Sequence, residues 1–586
     1  MNKKIIIIKQ LPFIISIIAI LSVVFDLGFD HKPVEQKFLQ LIYLIALFVG
    51  VGSVSFRYFF KKTRPKINVM PFDFLLVLFI LVLIFIELEF LIENNFTFLL
   101  FLNARIWVYL ALILIFIREL ASSSFDFRRM TLNPAQLFIL SFLFIILVGT
   151  GMLLLPRATY TSISVIDALF TSTSAVCVTG LVVVDTGSFF TPFGQMTILM
   201  LIQLGGLGIM TFTSYFSYFF KAGSSYENQM LLSAMTNTEK IGEVFSTLKR
   251  IIIITFIIEA FGALLVFMSL DTAILSSFTD RLFFSVFHSI SGFCNAGFST
   301  LQNSFYEPAY RFNYPLHIII AFLIILGGIG FPIVFNLLSY IKNNLKNLFY
   351  NFTESHERIR MHRIINVNTR LVLVTSILLT VGGTLLFYIF EYNHTLAEHG
   401  SWGKIVTAFF GSVTTRTAGF NTVDTSALTV PTLMLVLFLM WVGASPGSTG
   451  GGIKTSTLAI AVLNFINMAK GKEKIEVYKR EIAQKSVNRA FAIITLSILV
   501  ILLSIFGVSM FDRDKGLLNI SFECVSAFGT VGLSRGITAT LSNPGKLIII
   551  ITMFIGRVSM LTIFIAVFRK LAQHEYRYPS EEVLIN

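Results

Sequence analysis

Four glycines, Gly180, Gly297, Gly419 and Gly532, each close a short stretch rich in Ser, Thr and small apolar residues, at intervals of 117, 122 and 113 residues. The stretches read FTSTSAVCVTGL (170–181), FHSISGFCNAGF (287–298), FFGSVTTRTAGF (409–420) and FECVSAFGTVGL (522–533). They align without gaps, with Phe170, Phe287, Phe409 and Phe522 ten residues before the glycine and Leu or Phe directly after it. They hold no nucleophile with its base, no paired carboxylates and no His/Cys metal cluster, so an enzyme reading finds nothing to stand on. Main-chain oxygen is what they offer. A dehydrated monovalent cation needs oxygen ligands around it, and carbonyls supply them without a fixed charge that would trap the ion. Aiming successive carbonyls at one axis takes the backbone through unusual φ/ψ values, which glycine reaches at little steric cost.

On this reading Val178–Thr179–Gly180, Asn295–Ala296–Gly297, Thr417–Ala418–Gly419 and Thr530–Val531–Gly532 each form one wall of an ion filter. The ion would meet Thr179, Gly180, Ala296, Gly297, Ala418, Gly419, Val531 and Gly532. A second signal follows each stretch: LGGLG (204–208), LGGIG (326–330), VGASP (442–446) and IGRVS (555–559), whose first glycines lie 25, 30, 24 and 24 residues beyond the anchor glycine. One such glycine alone would be a packing or loop glycine. Four copies in register at two sites are internal repeats.

The elements that must position these turns follow from composition. Of 586 residues 55% are hydrophobic and only 13% charged, with a mean hydropathy of +0.81, so lipid covers much of the surface. Apolar runs of about 20 residues mark twelve candidate spans, among them a single span at 316–340 and an interrupted one at 431–465. The net charge of +13 sits in the loops between spans. From the fifth span onward, Lys and Arg number 23 on one side and 8 on the other, which makes the first side and both termini cytoplasmic and argues against a nucleic-acid partner. The basic start followed by Leu11–Phe25 has no small-residue cleavage site and reads as a retained first span rather than a signal peptide. Cys177, Cys294 and Cys524 read as buried thiols.

Each repeat then reads as an outer helix, a half-length re-entrant helix, an extended strand through the glycine and an inner helix. Irregular backbone at membrane depth is tolerated where protein or a water-filled cavity satisfies it. The half-length helices end at the pore, where their C-terminal partial negative charge favours a cation. The expected fold class is an all-α integral membrane protein. It would place an N-terminal four-helix unit (1–120) ahead of four pseudo-symmetric pore repeats (121–225, 226–345, 346–470 and 471–586, the last with a short cytoplasmic tail) around one pore.

This pattern, over roughly 135–570, resembles the Trk/Ktr/HKT superfamily of K+ transporters, which share four pore repeats with a single filter glycine in each. The resemblance implies K+ selectivity where all four positions are Gly, as here; a Ser in the first repeat of plant relatives goes with Na+ preference. In the third repeat the inner helix meets Ala444-Ser445-Pro446-Gly447-Ser448-Thr449-Gly450-Gly451-Gly452-Ile453-Lys454, which cannot hold a helix. The resemblance implies that this loop, with Gly447, Gly450, Gly451, Gly452 and Lys454, lies below the filter as a gate. Arg557 takes the place of Gly206, Gly328 and Ala444 in the other repeats. A guanidinium at membrane depth faces a cavity or a partner, and here it would raise a barrier to cations and hold the gate-loop carbonyls.

The resemblance also implies a bacterial inner-membrane location and a homodimer with one pore per chain. No nucleotide motif occurs in the chain, so the implied cofactor arrangement is none here beyond the transported K+. Nucleotide would be bound by a separate cytosolic regulatory subunit docked on the basic loops 341–370 and 470–489. Asp185 and Asp424 could gather cations at the mouth or simply cap turns, and His288 is expected to make a structural hydrogen bond. In the first four spans Arg105 is expected to pair with Glu87 or Glu89, and the basic residues are too sparse for a voltage sensor. The rival reading is a Na+- or H+-coupled symporter. Its signature would be an ionisable pair within the spans or inverted repeats; the repeats are parallel, and Arg557 and Lys454 are the expected deep charges.

Overall fold

The computed structural model describes residues 3–59, 70–91, 105–122, 134–220, 244–352, 365–472, 474–558 and Ile563. Helices dominate, and the strands among the described residues are a two-residue hairpin, β1 (Glu476–Val477) with β2 (Arg480–Glu481). Six helices are long and apolar enough to cross a membrane, seven if one bent pair counts as a span, among the described residues.

Helices α1 (Lys3–Gly28), α2 (Pro33–Phe59), α3 (Met70–Leu91) and α4 (Arg105–Ser122) pack on one another around Leu47, Ile80, Ala111 and Leu112. After them one sequence of elements recurs four times. A long helix comes first: α5 (Pro134–Leu153), α8 (Val244–Ser269), α12 (Val367–Glu391) or α16 (Gln484–Phe511). A half-length helix follows: α6 (Val165–Val176), α9 (Phe278–Cys294), α13 (Ser401–Thr414) or α17 (Leu517–Gly529). The chain then returns through α7 (Pro192–Phe220), α10 (Tyr314–Ile329) with α11 (Phe331–Phe352), α14 (Val430–Trp441) with α15 (Thr455–Ala469), or α18 (Asn543–Val558).

Apolar residues fill the core and also cover the exposed helix faces, where a soluble protein would be polar. The lipid-facing side of α12 exposes Ile377, Leu378, Val381 and Leu385, whereas the half-length helices bury nearly every residue of their second half. The cores straddle unit boundaries. Phe142 and Phe170 of the first unit pack in one cluster with Cys524 and Met553 of the fourth, and Phe305 and Ile320 of the second with Phe410 and Phe420 of the third. An ion pair between Asp167 at the start of α6 and Lys546 on α18, 2.6 Å, joins the first unit to the last.

The single span expected at 316–340 is instead two helices, α10 and α11, meeting at an angle of 100°. Gly330 takes φ +91°, Pro332 cannot donate a backbone hydrogen bond, and the Phe331 amide turns away to donate to the Gly447 carbonyl at 3.0 Å. The break at 442–454 in the third unit falls where the sequence places it.

The N-terminal bundle meets the first unit where Gly28 packs on Leu155 and Asp30 faces Arg157. It buries charge at both ends. Asp26 accepts hydrogen bonds from Tyr43 (2.9 Å) and Tyr109 (2.6 Å), with Arg105 3.8 Å away. Asp26 is thus the carboxylate beside Arg105; the side chains of Glu87 and Glu89, its expected partners, lie outside the described residues. At the other end Arg118 grips Asp73 in a bidentate pair (2.6 and 2.7 Å) completed by Tyr58 at 2.7 Å. Removing one partner of such a pair strands the other, at a cost of roughly 3–5 kcal/mol, whereas an apolar pair of similar volume can be neutral. Arg118→Met is therefore expected to lower the thermal midpoint of the detergent-solubilised protein, and adding Asp73→Leu to restore it; equal midpoints for wild type and Arg118→Met would show that the pair does not hold the bundle.

Candidate functional site

The four half-length helices converge, and each ends in the same backbone device. Two residues before each anchor glycine, Val178, Asn295, Thr417 and Thr530 adopt the left-handed region with φ of 55°, 61°, 78° and 50°. The glycines follow with φ of 88°, 69°, 83° and 92°. Three of those four non-glycine residues are β-branched, for which positive φ is a genuine outlier that persists only where the surroundings over-determine it. The sequence expectation assigned the unusual dihedrals to glycine alone. The left-handed residues before it went unseen because Val and Thr carry no propensity for that conformation.

The anchor glycines touch one another in order. A Cβ placed on Gly180 would collide with the Ala296 carbonyl and lie 3.2 Å from the Gly297 Cα. On Gly297 it would strike the Ala418 carbonyl beside Gly419, on Gly419 the Val531 carbonyl beside Gly532, and on Gly532 the Thr179 carbonyl beside Gly180. The circuit closes after four steps. It brings Thr179, Gly180, Ala296, Gly297, Ala418, Gly419, Val531 and Gly532 into one ring, all buried or nearly so.

Hydroxyls behind the ring tie the strands down. The Gly180 and Gly532 amides donate to the Oγ of Ser174 and Ser526 at 3.1 Å, while Ser291 and Thr414 donate to the carbonyls of Phe298 and Phe420 at 2.7 Å. The carbonyls of the same four residues accept the amides of Thr179, Ala296, Ala418 and Val531 at 2.7–3.0 Å. These anchors were not singled out from the sequence, although a hydroxyl five or six residues before each glycine was visible there. The second set of glycines explains how helices approach so closely. A Cβ on Gly205, Gly327 or Gly556 would run into the carbonyl of Val176, Phe293 or Phe528, the residue four before each ring glycine.

The loop 442–454 is buried beneath the ring. A Cβ on Gly450 or Gly451 would collide with the hydroxyls of Thr417 and Thr530, and the Gly451 amide donates to Thr530 Oγ1 at 3.1 Å. The Asn295 carboxamide and the Thr417 hydroxyl lie 3.1 Å apart just above. Gly447 (φ 72°) accepts from Phe331, Gly452 takes φ 64°, and Lys454 Nζ donates to the Gly450 carbonyl at 2.6 Å. Arg557 is buried, donating to the Thr449 carbonyl in the loop and, at 2.9 Å, to the Gly205 carbonyl on α7. Where loop carbonyls were expected beside Arg557, the structure places one, that of Thr449, and a second acceptor on α7.

Other expectations fare differently. Arg557 and Lys454 are not alone at depth: Glu259 and Glu523 are buried as well, Glu259 3.0 Å from Gln203 and Glu523 bonded to Ser534 and Thr538. Both were missed because a lone acid in a hydrophobic run gives no hint of which way it faces. Asp185 and Asp424 each accept from a backbone amide and a serine hydroxyl in a tight turn, Ser188 and Ser426 respectively, as capping residues do. The three cysteines are buried and unbridged, and no cluster able to hold a metal ion occurs among the described residues.

A family model described as TrkH, cation transport protein, matches residues 110–577. The chain is 36% identical over 453 residues to Ktr system potassium uptake protein B of Bacillus subtilis, covering 77% of this chain and 96% of that one. It is 35% identical to the potassium/sodium uptake protein NtpJ of Enterococcus hirae, covering 78% and 98%. The crystal structure of the potassium transporter TrkH from Vibrio parahaemolyticus superposes with a TM-score of 0.59 over 84% of this chain and 97% of that one, at 18% identity, a likeness of fold.

Proposed function

The chain belongs to the TrkH family of cation transport proteins, and on that premise we propose that it mediates K+ uptake through a gated, channel-like pore. The observation that carries the reading is the closed circuit of Gly180, Gly297, Gly419 and Gly532, each lodged against the carbonyl that precedes the next. Carbonyls of Thr179, Gly180, Ala296, Gly297, Ala418, Gly419, Val531 and Gly532 replace the hydration shell of the ion, and the left-handed residues Val178, Asn295, Thr417 and Thr530 turn each strand toward the axis. The chain is organised as a four-helix unit (1–120) and four pore repeats (121–225, 226–345, 346–470 and 471–586). It is a transporter and not an enzyme.

The gate is the loop beneath the ring. Gly450 and Gly451 allow it to pack without side chains against Thr417 and Thr530, Gly452 lies against Gly443 and Gly529, and Gly447 accepts the Phe331 amide. Lys454 and Arg557 add two positive charges on the cytoplasmic side of the ring, and Arg557 pins the loop through Thr449. A fixed charge of the ion's own sign in a low-dielectric path raises the barrier to passage, so loop and arginine act together. The protein works as a homodimer in the bacterial inner membrane with both termini in the cytoplasm. A nucleotide-binding subunit docks on the basic loops 341–370 and 470–489, the second of which carries the β1–β2 hairpin.

Coupling to Na+ or H+ is the second reading. Glu259 and Glu523 favour it, since buried acids among the spans are what coupling requires, and NtpJ is described as a potassium/sodium uptake protein. Reversal potentials of the purified protein in K+ and Na+ gradients separate the two: a reversal that follows K+ alone fits a channel, and a stoichiometric shift with Na+ or pH fits a symporter. Gly532→Ala is expected to cut K+ flux more than about tenfold at normal surface expression, because its Cβ occupies the place of the Thr179 carbonyl; undiminished flux would remove the filter assignment. Arg557→Ala is expected to raise conductance, and unchanged currents at normal expression would sink the gating role.

A further inference from the structure

The four units are not equally buttressed behind the ring. Nine residues before the anchor glycine stand Thr171, His288, Phe410 and Glu523, and two residues after it Val182, Ser299, Asn421 and Ser534. In the second unit His288 Nε2 lies 2.9 Å from Ser299 Oγ. In the fourth, Ser534 Oγ donates to Glu523 Oε2 at 2.9 Å. The first and third units lack such a bond at these positions: the Thr171 hydroxyl donates to the Asp167 carbonyl of its own helix, and Phe410 has no polar atom in its side chain. Because the circuit of glycines runs first, second, third, fourth, the two buttressed units face each other across the ring.

The match extends to the direction of each bond. His288 Nδ1 lies 2.9 Å from the Phe284 carbonyl, which can only accept, so Nδ1 carries the proton and Nε2 accepts from the Ser299 hydroxyl. Ser299 Oγ in turn accepts the amide of Leu301 at 3.0 Å. Ser534 does the same: it donates to Glu523 and accepts the amide of Gly536 at 3.0 Å. Each serine therefore clamps the strand just beyond the ring to the helix just before it, by a bond to the helix and one to its own loop; in the fourth unit the Thr538 hydroxyl adds a further link, lying against both Glu523 and Ser534. His288, Ser299 and Glu523 are buried, where a strand held by such bonds cannot trade them for water without cost. In the fourth unit the clamp continues sideways, since Thr425 of the third unit donates to the Ser534 carbonyl at 2.5 Å.

We infer that His288–Ser299 and Glu523–Ser534 are a diagonal pair of clamps that set the width of the outer mouth of the ring, and so its discrimination between K+ and smaller cations. The four residues are positioning residues; they touch the strand and not the ion. The inference rests on the ring being the ion filter.

The test is the Ser299→Ala/Ser534→Ala double variant in proteoliposomes, with K+ and Na+ uptake measured side by side. Loss of both hydroxyls is expected to lower the K+/Na+ ratio about tenfold, chiefly through a weaker half-saturation for K+, with each single variant intermediate. Ser299→Thr/Ser534→Thr, which keeps the hydroxyls, should recover most of the ratio, whereas Val182→Ala and Asn421→Ala, at the same register in the other two units, should leave it unchanged. A double variant that reconstitutes normally and keeps its ratio within about twofold overturns the inference; so does an equal loss in the Val182 and Asn421 variants. If Gly532→Ala abolishes flux while the double serine variant keeps its ratio, the clamps fail and the filter stands; if Gly532→Ala transports normally, the filter reading itself has failed.

Discussion

The constraint on which the molecule depends is the absence of a Cβ at four places. The ring glycines are in van der Waals contact with one another's neighbours, and a single methyl at any of them would occupy the volume of a carbonyl oxygen. That tolerance sets everything outside it. The half-length helices must end within a residue of the right place, the inner helices must come close enough to present Gly205, Gly327 and Gly556 against those ends, and the cores must be shared across unit boundaries so that no unit shifts by itself. Strain at Val178, Asn295, Thr417 and Thr530 is tolerable because hydroxyls and backbone amides behind each strand hold it.

Below the ring the fourfold pattern is abandoned. The third inner helix opens into a loop, the second bends at Gly330, and the fourth carries Arg557 where the others have a small residue. These departures meet in one place. The loop bonds to α10 through Ser445 and Thr449, to α11 through Gly447, to the ring through Gly451 and Thr530, and to Arg557 through Thr449. On the function proposed above, symmetry suits the coordination of a spherical ion, which has no sides, and its loss suits control, which needs one element unlike the other three.

Much of this was legible in the sequence because glycine periodicity survives where hydrophobic periodicity does not. Four anchor glycines and four following glycines at near-equal offsets are a steric requirement written directly in residue type. The outer helices were legible from hydropathy and the broken third inner helix from its glycines and proline. What escaped has a common cause. The break at Gly330 depends on Gly447, more than a hundred residues away, offering its carbonyl to Phe331. The buried acids Glu259 and Glu523 could not be oriented without knowing which face of each helix meets protein. Left-handed valine and threonine are imposed by tertiary packing against their own propensity. Tertiary contacts decide each of these, and a linear reading does not see them.

The bend at Gly330 has a mechanical side. α11 runs from there for 22 residues, about 33 Å at the rise of an α-helix. Its first amide is fastened to the loop, so the fulcrum of a long rod sits at Gly447. A tilt of about 5° at that fulcrum sweeps the far tip through roughly 3 Å by the same geometry. The far end of the helix thus magnifies any small change of angle at the Gly447 contact, as a long lever does.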